Sequence, residues 1–217
     1  GFFPANGDGN DLVIFDPEDH DREIARMTYP RQPARERLCL ADYFLPLDES
    51  GRRDVVAFQI VTQGKEATHR TEYLQSIGEY SESYFSHGLS VQSAEGLAEY
   101  VHQRIREMLG LGEDTGKRYS WGYPSCPDLS HHEIVDRLLV FSTIGVKLTN
   151  GYQFDPEKTT AAIVIPHPDA RYFSTMKAGG DAEGGEAALT AERPHPALRA
   201  TPPKGYPARC ARRGYEN

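Results

Sequence analysis

The amino-acid sequence predicts an α+β fold, and three observations carry that prediction. Short runs of apolar alternation stand beside longer runs of helical spacing. The two kinds follow one another without the steady strand–helix–strand rhythm that a doubly wound sheet requires. No internal repeat organises the chain into a solenoid or propeller. The length, 217 residues, suits one sizeable domain, since a single core grows to roughly 250 residues before chains divide.

Taken in order, LVIF at 12–15 reads as a short strand between a Gly/Asn/Asp cluster and Asp16-Pro17. GDG at 7–9 lacks the third glycine and the preceding strand of a dinucleotide site, so it reads as a turn. Residues 18–37 are charged and aperiodic, and are expected to wrap the surface. LCLADYFLPL at 38–47 is apolar but interrupted by Asp42. DVVAFQIVT at 54–62 alternates as a buried strand, and 146–148 and 159–165 offer further strands.

Three helices follow from spacing. Thr68 to Tyr84 forms one, ending before Ser86-His87-Gly88. Ser90 to Met108 forms another, with Ala94, Leu97, Ala98, Val101 and Ile105 on one stripe and Ser90 as its cap. Glu95, Glu99 and His102 lie beside that stripe. The third runs from Ser130 to Phe141 with Ile134, Val135, Leu138 and Leu139 inward. After Lys177 the composition changes to Gly-Gly and Pro pairs and Ala/Arg stretches. Residues 1–177 are therefore expected to form the domain and 178–217 a disordered or non-native tail.

Charge and cysteines narrow the function. The net charge of -8 disfavours a nucleic-acid role for the chain as a whole, because phosphate binding needs clustered positive charge. Three cysteines, Cys39, Cys126 and Cys210, stand far apart and one must stay unpaired, so no disulfide framework is expected, which fits a reducing, cytoplasmic setting. No run is long and apolar enough to span a membrane, and the opening residues carry no signal-peptide pattern. The start at Gly1 reads as a cut from a longer chain.

Several chemical signatures fail on inspection. GLGEDTGKR at 110–118 has Leu111 where a phosphate loop needs its first glycine and Arg118 where it needs Ser or Thr. No G-x-S-x-G turn places a nucleophilic serine. Cys126, His131 and His132 are metal-ligand types and raise a small zinc hydrolase as one alternative. Adjacent histidines on a helix point about 100° apart, however, and the plainer reading is a pair on a solvated helix start.

Three segments stand out: AEGLAEYVH at 94–102, RYSWGYPSCPD at 118–128 and HPDARYFS at 167–174. Arg118 is suited to a carboxylate, Glu95 to an ammonium, and Tyr123, Tyr172 and Phe173 offer aromatic faces. Taken singly, Glu95 is a solvated helix carboxylate and the aromatics are core packing.

Together the segments resemble the reactivation domain of cobalamin-dependent methionine synthases. The family loop R-x-x-x-G-Y-P-A-C-P stands here as Arg118, Gly122, Tyr123, Pro124, Ser125, Cys126 and Pro127, with Ser for Ala. The F-P-A-N opening, LCLADYF at 38–44, the K-L-T block after Gly145, and His167-Pro168 leading to Tyr172-Phe173 follow in order, so the resemblance runs from Gly1 to about Ser174.

The resemblance implies a mixed, largely antiparallel sheet with flanking helices. It implies a methyltransferase function in methionine biosynthesis: binding S-adenosylmethionine and supplying its methyl group to convert inactive cob(II)alamin to methylcobalamin. The implied partners are the cobalamin-binding domain of the same enzyme and a flavodoxin-type electron donor. The implied ligand positions are Glu95, Arg118, Tyr172 and Phe173, with Gly122 and Tyr123 in the surrounding loop. There are departures. The family's helical segment before F-P-A-N, which contributes an aspartate to the ligand site, has no counterpart here. Its acidic-His pair after the loop stands as Asp128-Leu129, and its C-terminal helical stretch is replaced. A shortened docking module without catalysis is therefore the second alternative.

Overall fold

On one strand, Val56 and Phe58 point to one side and Val55 and Ala57 to the other, and all four are buried. A strand apolar on both faces must be covered on both. This is β4 (Asp54–Thr62), near the middle of a six-stranded sheet in the computed structural model, which describes residues 1–33, 36–48, 50–112 and 115–175. The other strands are β1 (Phe2–Asp8), β2 (Asp11–Phe15), β3 (Glu23–Thr28), β5 (Lys117–Ser120) and β8 (Thr159–Ile165). Their order is β3-β2-β1-β4-β8-β5, and every neighbouring pair is antiparallel. Two short strands, β6 (Lys147–Leu148) and β7 (Phe154–Asp155), pair separately.

One face of the sheet carries the main core. Phe3, Leu12, Ile14, Phe58, Ile163 and Ile165 pack there against Leu40, Phe44, Trp121, Val135 and Phe141. Each large side chain fully buried contributes about 1.5–3 kcal/mol. The short α3 (His131–Leu139) covers part of this face. Its end is firm: the Asp136 carbonyl accepts from Val140 N at 2.7 Å and the Asp136 carboxylate from Phe141 N at 2.7 Å.

The opposite face packs on α2 (Tyr80–Met108), which brings Ile105 and Leu109 onto Val55, Ala57 and Val164. Gln59 adds a polar tie, its amide donating to the Ala98 carbonyl at 3.0 Å. Before α2 runs α1 (Gly64–Ser76), joined to it at Gly78, whose φ of +81° makes glycine the favoured residue at that bend. The pair meets through small side chains, with Ser83 Oγ donating to the Thr71 carbonyl at 3.1 Å.

The structure corrects several expectations. Residues 23–28 of the supposed surface wrap form β3, an edge strand whose exposed face holds Arg26 among Asp8, Asp11 and Glu23. Charges of this kind guard an open sheet edge. Residues 2–8 are a strand in their own right, so of GDG, expected as a turn, Gly7 and Asp8 end β1 and only Gly9 lies in the turn into β2. The interruption at Asp42 is functional: residues 40–43 form a 3-10 turn in which Asp42 binds Arg31 and caps Cys39 N at 3.0 Å. The helix break falls at 77–79, not at 85–89, and Ser90 lies inside α2 rather than capping it. Leu97, expected inward, is 38% exposed. Ser130 precedes α3 but makes no side-chain cap. The expected tail, 178–217, lies outside the described residues.

Candidate functional site

β5 lies at the sheet edge, where Arg118 pairs with Val164 and Tyr119 with Ile163. Alternation therefore sends Arg118 toward the α2 face and Tyr119 toward the main core. Arg118 meets α2 at two carboxylates one helical turn apart. Its Nη2 donates to Glu95 Oε2 at 2.9 Å, and its Nε lies 3.5 Å from Glu99 Oε2. Burial works against the guanidinium charge, but the two carboxylates outweigh it and hold the pKa above the usual arginine range.

After Ser120 the chain leaves the sheet and folds back on itself. Gly122, at φ +87°, donates its N–H to the Cys126 carbonyl at 3.0 Å, and Cys126 N donates to the Tyr123 carbonyl at 2.9 Å. An added Cβ at Gly122 would sit 3.2 Å from Leu129 Cδ2, so both backbone and space favour glycine. Cys126 is buried, its thiol donating to the Ser120 carbonyl at 2.9 Å, and burial pushes it up to about 12.

The segment after β8 returns to this loop. Tyr119 Oη donates to the Arg171 carbonyl at 2.8 Å. Ser125 Oγ donates to the Phe173 carbonyl and receives Phe173 N, while Thr175 N donates to the Pro124 carbonyl at 3.1 Å. Ser125 thus ties the two segments together.

Between these pieces lies an open cavity of about 500 Å³, within the range of small-molecule sites. Of the six residues singled out from the sequence, Glu95, Arg118, Tyr123, Tyr172 and Phe173 line it. Gly122 does not; it shapes the loop that does. Tyr123 is 65% and Tyr172 67% exposed, which is not core packing. Tyr172 stands edge-on to Tyr119, centroids 5.3 Å apart. The arrangement offers a cation, an anion beside it, and two uncovered aromatic faces. Sequence reasoning missed the second carboxylate on Arg118. The signal was present, because Glu99 follows Glu95 by four residues and so shares its helix face.

The proposed zinc trio is used otherwise. His132 Nδ1 meets the Tyr152 carbonyl at 2.8 Å, His131 stands edge-on to Tyr29, and Cys126 bonds Ser120. Both histidines are buried rather than solvated, and burial pulls their pKa values down. Among the described residues no three His, Cys, Asp or Glu side chains gather as a metal site.

The fold is thus a mixed α+β domain whose sheet edge, long helix and returning segment line an open cavity of the size small-molecule sites have. The sequence model described as vitamin B12 dependent methionine synthase, activation domain, matches residues 1–183, and the chain belongs to that family. The methionine synthase of Mycobacterium tuberculosis is 35% identical over 80% of this chain, and that of Mycobacterium leprae likewise. The chain spans 16% of the length of each. Among solved structures, the MetH reactivation domain bound to AdoHcy matches with a TM-score of 0.76 and 26% identity, over 82% of this chain and 60% of that one.

Proposed function

We propose that this domain binds S-adenosylmethionine and presents its methyl group for the reductive reactivation of the cobalamin held by a neighbouring domain of a methionine synthase. One observation carries the reading: Arg118 and Glu95 stand as a cation–anion pair on the wall of a cavity rimmed by Tyr123 and Tyr172. An α-amino-acid group presents the mirror pair, a carboxylate and an ammonium. Arg118 takes the carboxylate through a charge-assisted pair and Glu95 the ammonium. The aromatic faces receive the adenine or the sulfonium, each cation–π contact contributing about 0.5–2 kcal/mol. The solved relative bound to AdoHcy, the demethylated form of the same compound, supports the assignment.

The ligand would supply a methyl group already on a good leaving group, S-adenosylhomocysteine, while the cobalamin of the neighbouring domain would supply the acceptor and a flavodoxin-type donor the one electron. The residues of this chain then have an orienting task, holding the amino-acid end so that the methyl faces outward. The open side of the cavity suits the approach of another domain. Buried, unpaired Cys39 and Cys126 agree with a reducing, cytoplasmic setting. Among the described residues no helix is long and apolar enough to cross a membrane.

Calorimetric titration of the full chain with S-adenosylmethionine tests the proposal. Saturable binding is expected, weakened about ten-fold or more by Arg118→Ala, since a charge-assisted pair contributes about 1.5–3 kcal/mol. Binding that ignores the mutation would move the ligand elsewhere. No binding by the folded chain would favour the second reading, a docking module without transfer.

A further inference from the structure

Glu95 and Glu99 both reach Arg118, but they are not equivalent. Glu95 lines the cavity and touches the guanidinium at Nη2. Glu99 is not on the cavity wall, and approaches from behind at Nε, 3.5 Å away. Its other oxygen, Oε1, lies 3.5 Å from His102 Nδ1 and 3.9 Å from Arg106 Nη2. The Glu99 carboxylate is therefore shared among three side chains that can carry positive charge, two of them on its own helix. Their burial is unequal in a telling way: the Arg118 and Arg106 side chains are each 17% exposed and His102 6%, while Glu99 is 59% exposed. The cations are fixed in the protein, and the carboxylate bridges over them.

We propose that Glu99 is a positioning residue, aiming Arg118 at the ligand's carboxylate while Glu95 is freed for its ammonium. The inference rests on the S-adenosylmethionine reading above. A guanidinium presents its donors in a rigid fork, and a contact at Nε leaves the Nη1–Nη2 edge for a two-point carboxylate pair. When an amino-acid ligand enters, the Glu95–Arg118 bond must be exchanged for bonds to the ligand. Were Glu95 the sole partner, Arg118 would lose its orientation at the moment it is needed. Glu99, outside the cavity, keeps its contact through the exchange. Its other oxygen faces His102 one turn and Arg106 two turns further along α2. His102 is almost wholly buried with its Nδ1 turned toward Glu99, and burial holds its pKa below the usual value. Burial thus disfavours the positive charge that would draw Glu99 away from Arg118.

Two readouts on the full chain test this. In nitrogen-15 NMR of the ligand-free protein, the Arg118 Nε–H signal is expected to be ordered and slow to exchange in the wild type and in Glu95→Gln, and averaged in Glu99→Gln. In calorimetry with S-adenosylhomocysteine as the probe, Glu99→Gln should bind about ten-fold more weakly, the loss of one charge-assisted contact. Glu99→Asp, which keeps the charge on a shorter arm, should recover part of that loss. An unchanged Nε–H signal or an unchanged affinity in Glu99→Gln, with the wild type binding the probe, overturns the role of Glu99 alone. Absence of probe binding by the wild type overturns the functional reading and this inference with it.

Discussion

Cys126 shows how a residue read as a metal ligand becomes structural once its surroundings are known. Its thiol is 1% exposed, donates to Ser120 and sits beneath the loop that walls the cavity. Burial disfavours the thiolate and pushes the pKa from 9.0 up to about 12. The sign of the linkage follows. Between those values the unfolded chain loses a proton that the folded chain keeps, so the contribution is whole below pH 9 and declines as pH rises toward 12. Cys126 should therefore resist iodoacetamide at pH 8 in the folded protein and react readily in denaturant. Mass spectrometry of the alkylated chain reads this directly, and rapid modification of the native protein would mean that the loop opens. Gly122 and Ser125 belong to the same small structure, one turning the loop and the other tying it to Phe173.

At the scale of elements, α2 is the decisive one, because it both covers a sheet face and delivers Glu95 and Glu99 to Arg118. Its sequence invites a start at Ser90, yet the helix runs 29 residues from Tyr80. Ser90 Oγ donates back to the Ser86 carbonyl at 2.8 Å, a bond made within a helix rather than at its start. Ser90→Ala should then leave stability unchanged within about 0.5 kcal/mol or raise it slightly, because alanine is the better helix former. A true cap would cost about 1 kcal/mol on the same change. Equilibrium urea unfolding separates the two, and a loss of that size would put the helix start back at Ser90.

The same element shows what was legible in the sequence. The inward stripe of Ala94, Ala98 and Ile105 was readable from spacing alone, as were the strands at 54–62 and 159–165. Of the sheet strands that escaped, β1 lies inside the sheet, while β3 and β5 lie at its two edges. Edge strands have one unpaired side, carry charge, and lack the continuous apolar run that burial on both faces imposes on β4 and β8. The site was legible where chemistry was unusual, at Arg118 and in the aromatics after His167. At Glu99 only its place on the same helix face as Glu95 was legible; its partner was not, because a carboxylate on a helix looks the same whether it faces water or a cation on a distant strand. Only the pairing of β5 with β8 puts Arg118 opposite α2.

For the whole molecule, the cavity joins parts of the chain that are far apart in sequence: Glu95 on α2, Arg118 to Cys126 on β5 and its loop, and Tyr172 to Ser174 after β8. A ligand seated there bridges all three, so its binding energy opposes unfolding of the domain as a unit. Binding to the folded state alone stabilises by about 2.7 kcal/mol at a hundred times the dissociation constant. For a chain of this size each kcal/mol raises Tm by roughly 2–4 °C, which gives a rise of about 5–10 °C with S-adenosylmethionine. Arg118→Ala should lose most of that rise while changing the ligand-free Tm by little, since its carboxylate partners are half-exposed and such pairs contribute about 1 kcal/mol or less. Hydrogen exchange should show the protection falling together on 121–126 and 170–175, the segments tied by Ser125 and Thr175. Protection confined to one segment, or an equal rise in Tm for wild type and variant, would show that the ligand does not bridge them and that the cavity is not where it binds.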